Sequence, residues 1–264
     1  MPRLTCYVDG QFVSKIDART VREIVARDTG FTWLDIRDPV ESDMLMLREI
    51  FDFHPLALED VLRHHDRPKI EAYDNNYFMV FANLAFDSQK NSFLADPMYI
   101  FIGEDFLVSV HHGAVRVIED TIQRWRKNTF AVGHDGGALL YHLLDAIVDD
   151  YFPVLDLLAD RVEIIEEQIF ERFQPEALQK IFSLKRDLLM MRRIIAPERD
   201  VLNVLIRREV PIFDRHTIQY LQDVYDHVIR ITDSIDTYRD LLSSATDSFP
   251  VSYTHLTLPT NREV

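Results

Sequence analysis

Apolar and polar positions along this chain change their period near residue 130. Before that point, short apolar runs at residues 4–8, 31–36, 77–86, 98–102 and 106–111 read as strands. Helical spacing fills the gaps between them. Asp17 is placed to cap a helix through about Arg27, Ser42 one through Phe51, and Pro55 suits the first position of a helix ending near His64. The pattern predicts an α/β domain with a mixed sheet over residues 1–132.

The run Val132-Gly133-His134-Asp135-Gly136-Gly137 is the densest glycine cluster and marks a boundary. Beyond it the pattern is almost wholly helical over residues 133–249, so the class expected for the whole is α+β. Breaks near residues 173–175 and 210–211 leave three helices, at about 138–172, 175–208 and 215–249. Each would be about 50 Å long, and helices of that length need partners along them. Pro153 and Pro197 fall inside two of them, where each should bend its helix. In the third helix Leu221, Val224, Val228, Ile231, Ile235, Tyr238, Leu242, Ala245 and Phe249 alternate steps of three and four, an unbroken heptad seam. That seam predicts packing on the same chain or on copies of it.

Charge adds a second layer to this picture. The chain carries 44 acidic and 29 basic residues, a net charge of -15, which argues against a nucleic-acid partner and for cations or basic surfaces. The acids are patterned. Asp226, Asp233, Asp240 and Asp247 recur every seven residues along one stripe of the third helix, and the first long helix holds Asp145, Asp149, Asp150, Asp156, Asp160, Glu163, Glu166, Glu167 and Glu171. The second carries Lys185, Arg186, Arg192, Arg193, Arg199, Arg207 and Arg208, so helix pairing is a structural explanation for both sets.

The single cysteine, Cys6, excludes an intramolecular disulfide and cysteine-based zinc frameworks. The N-terminus lacks the apolar core of a signal peptide, and charges interrupt every apolar stretch before it reaches bilayer length, so a soluble, cytosolic chain is expected. Phosphate-binding glycine loops, nucleophile elbows and HExxH are absent from the sequence, and an enzyme is not expected. The adjacent pairs His64-His65 and His111-His112 point in different directions on a helix or strand, which disfavours a shared zinc ion. Excess carboxylates suit hard cations such as Mg2+, held by residues from separate elements or separate subunits.

Particular residues then carry a resemblance. The run His54-Pro55-Leu56-Ala57-Leu58-Glu59-Asp60-Val61, followed by Arg67-Pro68-Lys69-Ile70-Glu71, resembles the N-terminal domain of CorA-type magnesium channels. Asp145-Ala146-Ile147-Val148-Asp149-Asp150-Tyr151-Phe152, Leu184-Lys185-Arg186 with the downstream Pro197, and Asp223-Val224-Tyr225-Asp226-His227 continue it in order, over about residues 3 to 249. The resemblance implies the cytoplasmic region of a homopentameric divalent-cation channel, with long helices forming a funnel and stalk. It also implies that Asp87 faces a neighbour's Asp223 across Mg2+ (or Co2+) in the closed state, and that Asp145 belongs to a second such site. The zinc-transporting branch of the same superfamily, with Zn2+ as its ion, and an acidic coiled-coil scaffold are the alternatives.

The family's membrane helices and Gly-Met-Asn signature have no counterpart in this sequence. Pro250 is expected to end the third helix, leaving residues 250–264 as a foreign or read-through tail.

Overall fold

The protein is described by a computed structural model covering residues 3–8, 11–14, 16–26, 30–64, 67–87, 92–127, 135–171, 175–207 and 212–257. In chain order the elements are β1 (Leu4–Val8), β2 (Gln11–Ser14), α1 (Ala18–Val25), β3 (Thr32–Arg37), α2 (Glu41–Phe51), α3 (Pro55–Leu62), β4 (Lys69–Ala72), β5 (Tyr77–Asp87), β6 (Ser92–Ile102) and β7 (Phe106–His111). Five helices follow: α4 (Arg116–Arg126), α5 (Gly136–Asp149), α6 (Tyr151–Glu171), α7 (Pro175–Arg207) and α8 (Arg215–Thr257). The class is α+β. Val132 to His134, the predicted breaks at 173–174 and 210–211, His65, and the residues after Thr257 lie outside the described residues.

The seven strands form one sheet in the order β2-β1-β3-β7-β6-β5-β4. Only β3 and β7 run parallel, with Leu34 opposite Val108 and Asp35 opposite Ser109; the other pairs are antiparallel. The period of two sends Leu34, Ile36, Val108 and Val110 to one face, against Leu47, Phe51, Leu58 and Val61 of α2 and α3. Trp33, Met79, Phe81, Ile100 and Leu107 point the other way, into a core shared with α4 and all the long helices. Both faces are covered, which is why β5 and β6 read as nearly continuous apolar runs.

Helix starts follow local chemistry. The Asp17 carboxylate accepts from Thr20 N at 2.8 Å, and His54 Nδ1 caps α3 ahead of Pro55 at N1. Ser42 does not cap α2, which begins one residue earlier. There the Asp43 carboxylate, 2.9 Å from Val40 N, closes the first turn from inside the helix. The short strands β2 and β4 and the helix α4 were not apparent from the apolar pattern. Each of these strands has few buried positions, and α4 is half polar.

The predicted first long helix is two. Its α5 segment ends at Asp149 and α6 restarts at Tyr151, placing Pro153 in the first turn of α6, where its missing N–H has no partner to lose. Pro197 lies inside α7 without interrupting it. Pro250 does not end α8, whose backbone stays helical to Thr257, because an interior proline removes one hydrogen bond while the turns around it keep theirs. Most of the described seam is spent within the chain: Leu221, Val224, Val228, Ile231, Ile235 and Leu242 are all 0% exposed, Tyr238 and Ala245 are half-buried, and α8 packs on α5, α6 and α7; the side chain of Phe249 lies outside the described residues. Burying each such side chain contributes roughly 1.5–3 kcal/mol relative to leaving it exposed.

Candidate metal centre

The start of α5 seats this centre. The Asp135 side chain accepts from Ala138 N at 2.7 Å, and at Gly137 a Cβ would fall 3.1 Å from both Phe213 Cδ1 and Thr217 Cγ2. Absence of that Cβ lets α5 lie closely along the first turns of α8. Tyr141, Asp145 and Asp149 then recur every four residues on one stripe of α5, and Tyr220, Asp223 and His227 form the facing stripe of α8. The stripes meet at one end through the Tyr141 and Tyr220 rings, 5.0 Å apart.

Below those rings the polar groups converge. Asp145, Asp149 and His227 each offer a ligand atom, and these three atoms all lie within 4.8 Å of one another. His227 stands between the carboxylates, with Nδ1 4.0 Å from Asp149 Oδ1 and Nε2 3.8 Å from Asp223 Oδ2. Both separations exceed a hydrogen bond, and Nδ1 is buried without a hydrogen-bond partner. Phe152 packs edge-on to the imidazole at 5.6 Å and fixes its plane.

Electrostatics mark Asp145 as the strained member. Burial, then the charge of Asp149, pushes its carboxyl up to about 6, against smaller opposing effects of His227 and the Tyr141 hydroxyl. The Tyr141 hydroxyl is itself held above its usual range, first by burial and then by Asp145 and Asp223. Two carboxylates within 4.8 Å of the His227 imidazole, with a third 3.8 Å from its Nε2, offer the oxygen and nitrogen donors that divalent cations take.

Of the residues singled out from sequence, Asp145 and Asp223 come together here, close enough for Asp223 to raise Asp145. Asp87 stands elsewhere in the same protomer, at the last pair of the β5–β6 ladder, opposite Ser92. Asp149 was named among the acids of the first long helix and His227 within the run Asp223-Val224-Tyr225-Asp226-His227, neither of them as a metal ligand. Their signal was available: a carboxylate pair four residues apart on one helix and an Asp/His pair four apart on another. The ion pairs expected between the first two long helices take a different form at Arg192 of α7, which reaches Asp236 of α8 at 2.7 Å. Among the described residues, no helix is long and apolar enough to cross a membrane.

Residues 28–253 match the family described as CorA-like Mg2+ transporter protein. The cobalt/magnesium transport protein CorA of Thermotoga maritima is 33% identical over 228 residues, spanning 86% of this chain and 65% of that protein. Among solved structures, the soluble domain of CorA from Methanocaldococcus jannaschii superposes with a TM-score of 0.75 at 21% identity, covering 94% of this chain and 96% of that one. The ZntB cytoplasmic domain from Vibrio parahaemolyticus superposes with a TM-score of 0.74 at 11% identity, covering 97% of this chain and 100% of that one.

Proposed function

This chain belongs to the CorA-like Mg2+ transporter family, and from that premise we propose that it is the metal-sensing cytoplasmic region of a divalent-cation channel. The observation that carries the reading is the convergence of Asp145, Asp149 and His227 within 4.8 Å, with Asp223 on the far side of the same imidazole. Empty, the three carboxylates repel one another. A bound Mg2+ or Co2+ cancels that repulsion and ties α5 to α8, so occupancy favours one arrangement of the long helices.

Mg2+ keeps several waters and takes one or two carboxylates, which suits Asp145 with Asp149 or Asp223. Co2+ also accepts the imidazole of His227. Asp87, at the end of the hairpin, is the candidate for a second contact, reaching Asp223 of a neighbouring protomer in a homo-oligomeric ring, a pentamer by the resemblance. Metal bridging those two carboxylates holds the ring closed, and depletion loosens it.

A second reading has specific support. His227 in the donor set favours Zn2+ over Mg2+, and the fold likeness to the ZntB cytoplasmic domain includes that branch.

Thermal unfolding and sedimentation velocity in EDTA and in millimolar MgCl2, CoCl2 or ZnCl2 test these readings. Binding to the folded state raises its melting temperature by mass action, by about 2.7 kcal/mol of stability at a hundredfold excess over Kd. Asp145→Ala abolishes the shift, and Asp87→Ala leaves it in place while weakening metal-dependent assembly. Unchanged melting and sedimentation with every metal refutes sensing and leaves an acidic helical scaffold.

A further inference from the structure

Strand β5 outruns its neighbour β4, whose last pair on it is Lys69 with Val80. Ala82 lies two residues beyond that pair, so its N–H and carbonyl on that edge have no strand to bond. The Ala82 backbone turns to the helices instead. Its N–H donates to Glu198 Oε1 of α7 at 3.0 Å, and its carbonyl accepts from the Tyr151 hydroxyl of α6 at 2.5 Å. The same hydroxyl oxygen lies 2.8 Å from Glu198 Oε1. Glu198 is 0% exposed, and its second oxygen is buried without a hydrogen-bond partner.

A proton count decides the state of this triangle. Three short contacts join Ala82, Tyr151 and Glu198, but the Ala82 amide and the Tyr151 hydroxyl together supply two protons. If the hydroxyl donates to the Ala82 carbonyl, the contact between Tyr151 and Glu198 holds only when the carboxyl brings the third proton. The surroundings agree. The polar groups facing Glu198 are the Ala82 amide from β5 and the Tyr151 hydroxyl from α6, with Asp150 acting on Tyr151 from behind; no cation contributes. Burial outweighs the two hydrogen bonds and pushes the carboxyl up to about 8.

We propose that Glu198 is a proton-operated latch: neutral, it clasps the middle of the β5–β6 hairpin to α6 and α7 through Tyr151 and Ala82, and loss of its proton releases that hairpin locally. An isolated carboxylate at this depth has no counter-charge, so opening toward water is its route to solvation. The latch stands without any metal. Its bearing on Asp87, at the end of the same strand, rests on the function proposed above.

Amide hydrogen exchange in EDTA from pH 6 to 10, corrected for intrinsic exchange rates, reads the latch directly. One linked proton makes the open fraction of residues 77–87 and 92–102 rise by up to about tenfold per pH unit between the ordinary carboxyl value of 4.5 and the folded value of about 8, and level off above it. Amides of β1 and β3, which pair away from the hairpin, stay unchanged. Glu198→Gln, which keeps shape and cannot ionise, leaves the hairpin equally protected across the range. Should that variant not fold, glutamate-labelled wild-type protein carries the infrared test: a protonated glutamate carboxyl band at pH 7 that disappears by pH 10. Equal pH dependence in wild type and Glu198→Gln, or no protonated glutamate band at pH 7, overturns the latch whatever the metal experiments give.

Discussion

The imidazole of His227 lies with Nδ1 4.0 Å from the Asp149 carboxylate, across the α5–α8 contact and just beyond hydrogen-bonding reach. Two groups so placed, with a second carboxylate close by, are the ones that the proposed metal ion would bridge.

That geometry predicts a pH-dependent affinity. Asp145, with its carboxyl pushed up to about 6, must lose its proton before it can ligate. Affinity for Mg2+ rises from pH 5 to pH 7 and levels off above, and titration calorimetry detects proton release near pH 6. In Asp145→Asn the release disappears and the affinity falls. Without metal the sign reverses for stability. The raised folded pKa contributes stability that is fully present below the unfolded value of 3.8 and lost as pH rises through about 6.

The ion preference follows from the imidazole. His227→Ala weakens Co2+ and Zn2+ binding by about tenfold or more and changes Mg2+ binding little, because hard Mg2+ draws chiefly on carboxylate oxygen. Competition calorimetry at pH 7.5 separates the ions. Equal losses for all three would place the imidazole outside the coordination sphere.

Ile231 sits at the middle of the seam with no exposure. Ile231→Ala removes its buried methyl groups and leaves a cavity among α6, α7 and α8, costing about 2–5 kcal/mol in urea unfolding. The same substitution at exposed Leu241, 40% accessible, costs well under half as much.

A buried polar chain joins β3 to β7. Trp33 Nε1 donates to Ser109 Oγ at 3.0 Å, Ser109 Oγ donates to Asp35 at 2.6 Å, and His111 Nε2 lies 3.4 Å from the same Asp35 oxygen. Burial acts to lower the His111 pKa, but the Asp35 carboxylate beside it outweighs burial and raises it. The stabilisation is therefore full below the unfolded value of 6.5 and is lost as pH rises through the folded one. Ser109→Ala leaves the Asp35 carboxylate short of a donor and destabilises by about 1–3 kcal/mol. His111→Gln flattens the decline seen in melting curves above neutral pH.

Much of this was written in local spacing. Strands β1, β5 and β7, the cap at Asp17 and the N1 proline at Pro55, the long helices and the heptad seam follow from periods of two and 3.6 and from the chemistry of helix ends. Four motifs in order carried the family. Where local signals were weak, they misled or fell silent: Ser42 competes with an Asp43 able to close the turn, β2 and β4 bury little, and one proline does not stop a helix as long as α8.

The sequence alone determines which residues share a face, because side-chain direction depends only on position along a strand or helix. It therefore placed Asp145 with Asp149 and Asp223 with His227. Only the tertiary structure decided that these faces meet, that the seam of α8 is covered by its own chain from Leu221 to Leu242, and that the open edge of β5 at Ala82 is taken up by Tyr151 and Glu198. Those pairings join residues tens of positions apart, and their geometry is set by how whole helices pack on the sheet, a sum over many contacts that no local period encodes.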